Sequence, residues 1–193
     1  LDSIKEDGFI FGSVLPQTNI YRQYVEPHLD GGPVAYVLVD ALRYEMGVEL
    51  LRLLDRAEEA DVIPAIAAVP TITVVGMAAL MPGAEKGISI VTTTAGKVAA
   101  QVGPITLAGA NDRAKLLSSA TGDTVLDITL DDFLNSSRYS KPAQLKKHLV
   151  GKRLIVLRAI EIDAEGESDL VMPARRGITR VLADLKKAIY RLA

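Results

Sequence analysis

Val34–Val39 (VAYVLV) is a short, valine-rich run with no polar alternation. A strand covered on both faces reads this way, and such strands belong to parallel sheets. The run ends on one carboxylate, Asp40, and the period then changes. From Leu42 onward, Met46, Leu50, Leu53 and Leu54 recur at i, i+4, i+7 and i+8, which is one face of a helix. A second run, residues 153–160 (RLIVLRAI), has the same buried character. It is followed by the clearest helical stripe in the chain: Ile178, Val181, Leu182, Leu185, Ile189 and Leu192. Parallel neighbours need a crossover between them, and helices supply it. These two strand-to-helix passages therefore predict an α/β fold with a mostly parallel sheet flanked by helices.

The remaining segments fit around that frame. TNIYRQYVEPHL (18–29) predicts a short helix capped by Thr18 and closed by Pro27, and GGP (31–33) marks a boundary. Residues 1–33 are accordingly read as an N-terminal extension and 34–193 as the domain. DVIPAIAAVP (61–70) predicts a second strand interrupted by Pro64. TITVVGMAALMPG (71–83) runs from an extended piece into a small-residue helix that starts near Gly76 and stops at Pro82 and Gly83. ISIVTT (88–93) and TVLDITL (124–130) read as strands, and NDRAKLLSSA (111–120) as a helix. TLDDFLN (129–135) opens on a capping pair, Thr129 and Asp132, and PAQLKKHL (142–149) is a helix with Pro in its first turn.

Composition narrows the function classes. The chain has 193 residues, 49% of them hydrophobic, enough for one sizeable core. Lys+Arg is 22 against Asp+Glu 24, so no strong global field draws it to nucleic acid or an anionic membrane. The absence of Cys excludes disulfides and thiolate metal sites and fits a cytoplasmic location. No apolar stretch approaches the ~20 residues of a membrane span, and the charged start carries no signal peptide. The first residue, Leu1 rather than Met, points to a piece of a longer protein.

In open α/β sheets ligands bind beyond the carboxyl ends of the strands. Asp40 follows the first buried strand. EIDAEGESD follows the second, with Glu161, Asp163, Glu165, Glu167 and Asp169. Carboxylates gathered at one sheet edge suit a hard divalent cation. The plain alternatives are that Asp40 caps the next helix and that the acidic loop is simply solvated. Thr71 and Thr73 precede a helix start, where free N–H groups suit a phosphate and where a hydroxyl beside a metal becomes a nucleophile. The alternative is that Thr is an ordinary strand residue.

VDALRYE, then PTITVVGMAALMPG, then EIDAEGE, in that order and at strand ends, resemble the PglZ domain of the alkaline phosphatase superfamily. The resemblance spans roughly residues 34–193, and the first two motifs together carry most of its specificity. PglZ proteins are components of bacterial BREX phage-defence systems. The resemblance implies an alkaline-phosphatase-like fold and metal-dependent hydrolysis of phosphodiesters or phosphomonoesters, in a nucleotide or nucleic acid. It implies two divalent ions, zinc, manganese or magnesium, and other BREX proteins as partners. Asp40 would be a metal ligand. Thr73 would be the nucleophile and bridge toward the metals, with Thr71 the alternative. Related phosphodiesterases place the nucleophile shortly before a small or Asn residue and a short helix ending in Gly, a frame that selects Thr73, Gly76 and MAALMPG. N–H groups at Val74 and Gly76 would hold phosphate oxygens, and Arg43 would pair a phosphate or a carboxylate.

Asp163 and Glu167 would complete the ligands on this chain. Relatives commonly have Asp and His at that spacing, so Glu167 makes the second site all-oxygen and shifts its preference toward manganese or magnesium. The superfamily closes its site with a later Asp-His pair, whereas this sequence stops in the helix before the strand that would carry it. A C-terminally truncated domain with part of its metal site is therefore expected. His28 and His148 match no ligand position and read as surface or packing residues. Arg175, Arg176, Arg180, Lys186, Lys187 and Arg191 read as a solvated face of the last helix. No Walker A loop, dinucleotide fingerprint or Ser-His-Asp arrangement appears. The rival to the enzyme is a non-catalytic scaffold module of a multi-protein phage-defence complex. A receiver domain with Asp40 as phosphoacceptor is weaker, since no adjacent acidic pair ends an earlier strand.

Overall fold

The computed structural model describes residues 14–54, 60–122, 124–159 and 171–193, with the side chains of the last helix from Gly177 onward. Its strands are β1 (Leu15–Pro16), β2 (Val34–Val39), β3 (Ala65–Ile66), β4 (Ile88–Thr92), β5 (Val98–Val102), β6 (Ile105–Leu107), β7 (Val125–Thr129) and β8 (Leu154–Ala159). Its α-helices are α1 (Tyr44–Leu53), α2 (Thr73–Ala79), α3 (Ala110–Thr121), α4 (Leu130–Asn135), α5 (Pro142–Leu149) and α6 (Val171–Leu192). Contacts divide the chain into two compact units, Leu1–Glu26 with Ile63–Leu116, and Pro27–Val62 with Leu117–Ala193.

The unit containing β2 and β8 is built on a parallel sheet of order β2-β8-β7. β8 is the middle strand, and five of its residues, Leu154, Ile155, Val156, Leu157 and Ala159, are buried. That explains why its sequence shows no polar alternation. One face of the sheet carries Val37, Val39, Leu126, Ile128, Ile155, Leu157 and Ala159 into a core completed by Met46 of α1, Phe133 of α4, Leu145 of α5, and Val181, Leu182 and Leu185 of α6. The helical stripes expected for α1 and α6 are mostly the packed faces, with Leu50, Leu53, Ile178 and Leu192 lying against the same cluster. Leu54 is instead the C-cap of α1, and Ala188 rather than Ile189 is the buried residue near the end of α6.

The local signals in this unit hold. Thr129 caps α4, its Oγ1 accepting from the Asp132 N–H at 3.1 Å and donating to Asp132 Oδ2 at 2.8 Å. Pro142 opens α5, where its missing N–H costs nothing.

The other unit departs from the expected pattern. DVIPAIAAVP yields a strand of only two residues, β3, which pairs in parallel with β1 and not with the main sheet. Pro64 and Pro70 flank it and lack the N–H that a longer ladder needs. ISIVTT does form β4, yet it pairs antiparallel with β5, which pairs antiparallel with β6. The parallel expectation fails for these three strands because short turns join them, and a tight connection permits only antiparallel neighbours. Gly96 (φ 74°) and Gly103 (φ 55°) supply the left-handed residues those turns require. Helix α2 packs on β4 and β5 and buries Val75, Met77, Ala78 and Ala79.

The expected helix over residues 18–29 is instead a 3₁₀ turn at Gln17–Asn19, a π turn at Tyr21–Val25 and a 3₁₀ turn at Glu26–His28. Thr18 does not cap it, since the first turn begins after Pro16 without a side-chain cap. Pro27 lies inside the last turn rather than beyond it.

Candidate functional site

Asp40 ends the edge strand β2. Its N–H donates to the Ala159 carbonyl at 2.8 Å, so the β2–β8 ladder carries it to the carboxyl edge of the sheet. Its Oδ1 accepts the Ala41 N–H at 3.0 Å, and the residue is half-buried. The cap reading of Asp40 is excluded, because the N-cap of α1 is Arg43, whose carbonyl accepts from Met46 and Gly47. Between them Ala41 sits at φ 56°, a left-handed conformation that costs a non-glycine residue about 1–2 kcal/mol. Strain of this kind, just past a strand end, is where functional loops keep it.

Arg43 is exposed and forms an ion pair with Glu45, its Nε 3.0 Å from Oε1. A phosphate would therefore compete with Glu45 for that guanidinium. Both partners are about two-thirds exposed, so the pair is weak enough to exchange.

Two charged residues in the same sheet were passed over in the sequence. Arg158 of β8 donates from Nε to Asp127 Oδ1 of β7 at 2.5 Å, both side chains being largely buried. Arg158 is in register with Leu38 of β2 and Thr129 of β7, close to the carboxyl edge. The signal was present as one charge inside each of two strands, LIVLRA of β8 and VLDIT of β7. Such a charge survives in a sheet only when paired.

In the other unit, Thr73 is the first residue of α2, with Ile72 as N-cap and its own side chain exposed. The helix thus begins three positions before Gly76, at the hydroxyl itself. Thr71 is also exposed and lies in the extended turn before the helix. The Val75 and Gly76 N–H groups both donate to the Ile72 carbonyl, at 3.0 and 2.9 Å. Gly76 therefore has its N–H committed within the helix, whereas helix geometry leaves those of Thr73 and Val74 without an intrahelical acceptor.

Asp163 and Glu167 lie outside the described residues. Among the described residues no group of three or more His, Asp or Glu is placed to hold a metal ion. The oxygen donor at Asp40 suits a hard divalent cation in kind, and a complete ligand set is not present among the described residues. His148 packs its ring on Tyr139 at 5.4 Å between centroids, a packing role rather than a ligand position. No helix among the described residues is long and apolar enough to cross a membrane.

Compared with known families, residues 20–180 match the one described as the BREX system PglZ alkaline phosphatase-like domain. No curated protein matches the chain significantly.

Proposed function

The chain belongs to the PglZ family of BREX systems, an alkaline phosphatase-like domain, and from that premise we propose that it serves metal-dependent phosphoester hydrolysis with Thr73 as nucleophile. The observation that carries this reading is the place of Thr73: an exposed hydroxyl at the first position of a helix whose opening amides lack intrahelical partners.

In this reading the Thr73 oxygen attacks phosphorus, the bond from phosphorus to the leaving oxygen breaks, and the hydroxyl proton ends on the departing alcohol. Water then attacks the phosphorylated threonine and restores the hydroxyl, releasing phosphate from a monoester substrate or the remaining phosphomonoester from a diester. The Val74 amide donates to a phosphate oxygen, as an electrostatic stabiliser of developing charge. Arg43, on exchanging its partner Glu45, is a guanidinium that would pair a phosphate or a carboxylate. Asp40, Asp163 and Glu167 are the carboxylates that would hold divalent ions, whose chemistry when bound is to activate the hydroxyl and offset charge on the leaving oxygen. The all-oxygen set favours manganese or magnesium over zinc.

The substrates are phosphoesters of nucleotides or nucleic acid. The setting is the bacterial cytoplasm, among other BREX proteins.

The test is hydrolysis of a chromogenic phosphodiester by the native full-length protein with manganese, zinc or chelator. Turnover that needs metal and is lost in Thr73→Ala but kept in Thr71→Ala supports the reading. Turnover unchanged in Thr73→Ala refutes the assignment. Inertness in every metal would favour a scaffold role in the defence complex.

A further inference from the structure

Resting on the reading of Thr73 as the attacking hydroxyl, we propose that Gln17 is a positioning residue whose side-chain amide fixes the turn that presents it. Gln17 opens the 3₁₀ turn directly after β1. Its Oε1 accepts the Ala68 N–H at 2.9 Å and its Nε2 donates to the Gly76 carbonyl at 3.2 Å. Between those two anchors lie the turn Val69, Pro70, Thr71 and Ile72 and the first residues of α2, Thr73, Val74 and Val75.

Each anchor is a group that the local secondary structure leaves without a partner. The β1–β3 ladder ends at Ile66, so Ala68 lies beyond it. Helix geometry assigns the Gly76 carbonyl to the Leu80 N–H, which is directed at Ala78 instead. A carboxamide offers an acceptor and a donor at a fixed separation. Only one orientation of the amide satisfies an N–H and a C=O together, so the bridge also fixes which end points where. The strand that leads into the turn has two residues and the helix that follows has seven. With so little regular structure on either side, a side chain joining both ends governs where Thr73 sits.

Gln17 precedes the residues 20–180 that match the family, so the match assigns it no role. Leu in its place loses both bonds. Glu keeps the acceptor for Ala68, loses the donor, and sets a negative charge against the Gly76 carbonyl.

The test uses the native full-length protein, bis(p-nitrophenyl) phosphate with manganese, and amide hydrogen exchange on the same samples. Gln17→Leu is expected to lower kcat about tenfold to a hundredfold, the size of effect that misplacing a reacting group by about 1 Å produces. KM is expected to stay within about twofold, since binding of the ground state is not what the bridge controls. Exchange is expected to quicken across residues 68–76 alone. Gln17→Glu, the variant to rely on where Leu fails to fold, is expected to fall between Leu and the wild type.

Wild-type kcat in both variants, while Thr73→Ala is inactive, overturns the positioning role and leaves the nucleophile standing. A fall in kcat joined to a rise in KM and faster exchange throughout the unit shows a merely structural residue and also overturns it. Thr73→Ala turning over like the wild type removes the nucleophile and this proposal together.

Discussion

Two strand-to-helix passages carry the residues of interest, and they are built in different ways. At the first, β2 has six residues, each in register with β8, and the ladder extends to the Asp40 N–H. Backbone hydrogen bonds thus deliver Asp40 to the sheet edge before any side chain takes part. At the second, β3 has two residues and its ladder stops well before Thr73. There one side chain, Gln17, ties both ends of the turn. A ladder makes position depend on many bonds at once, so single substitutions move it little. A bridge concentrates the same task in one residue, so a single substitution should release it.

The largest expected effect sharpens the first half of that comparison. Leu157, fully buried in the middle strand, should cost about 2–5 kcal/mol as Leu157→Ala in chemical denaturation. Ile66 of β3 is only half-buried, and Ile66→Ala should cost less, below about 2 kcal/mol. Equal costs would erase the distinction between the two strands.

Next comes the ion pair inside the ladder. Asp127→Ala strands Arg158 in the sheet and should cost about 1–3 kcal/mol, below the range for a fully buried pair because both side chains retain some exposure. Replacing both partners together, by Leu at 127 and Met at 158, should recover most of that loss. A double variant no more stable than Asp127→Ala would show that the pair matters through more than its charge.

Loss of the α4 cap in Thr129→Ala should cost about 1 kcal/mol, read as a lower Tm.

The smallest effect concerns the second passage. A Cβ at Gly76 would meet Gln17 Nε2 at 3.8 Å, an ordinary contact, and its φ is not positive. Gly76→Ala should therefore hold stability within about 1 kcal/mol of the wild type, and can gain from lower chain entropy. A loss well beyond that would mean that the bridge is less tolerant than its geometry shows.

The same contrast explains what was readable in the sequence. β8, α1 and α6 were readable because burial imposes a pattern on consecutive residues, continuous in the strand and periodic in the helices. β2 was readable from its valines, although as an edge strand it buries only Tyr36 and Leu38 rather than both faces. The Thr129 cap and the Pro142 start were readable because their chemistry is local. β5 was missed because VAAQV has little β-branched character, and β6 because it spans only three residues. The antiparallel pairing of β4 was missed because a strand's sequence does not name its partner. Asp40, Thr71 and Thr73 were singled out from strand ends. Gln17 was not, since an isolated Gln in a turn-rich segment carries no signal of the two backbone groups it joins, one of them 59 residues away.

The most direct measurement is rapid acid quench of the native full-length protein during turnover of a phosphodiester, followed by mass spectrometry of the peptide spanning residues 69–83. The account expects Thr73 to carry a phosphoryl group still esterified to the substrate's retained alcohol, and no such adduct anywhere in that peptide in Thr73→Ala. The adduct on Thr71, or an unmodified peptide while turnover continues, would contradict it.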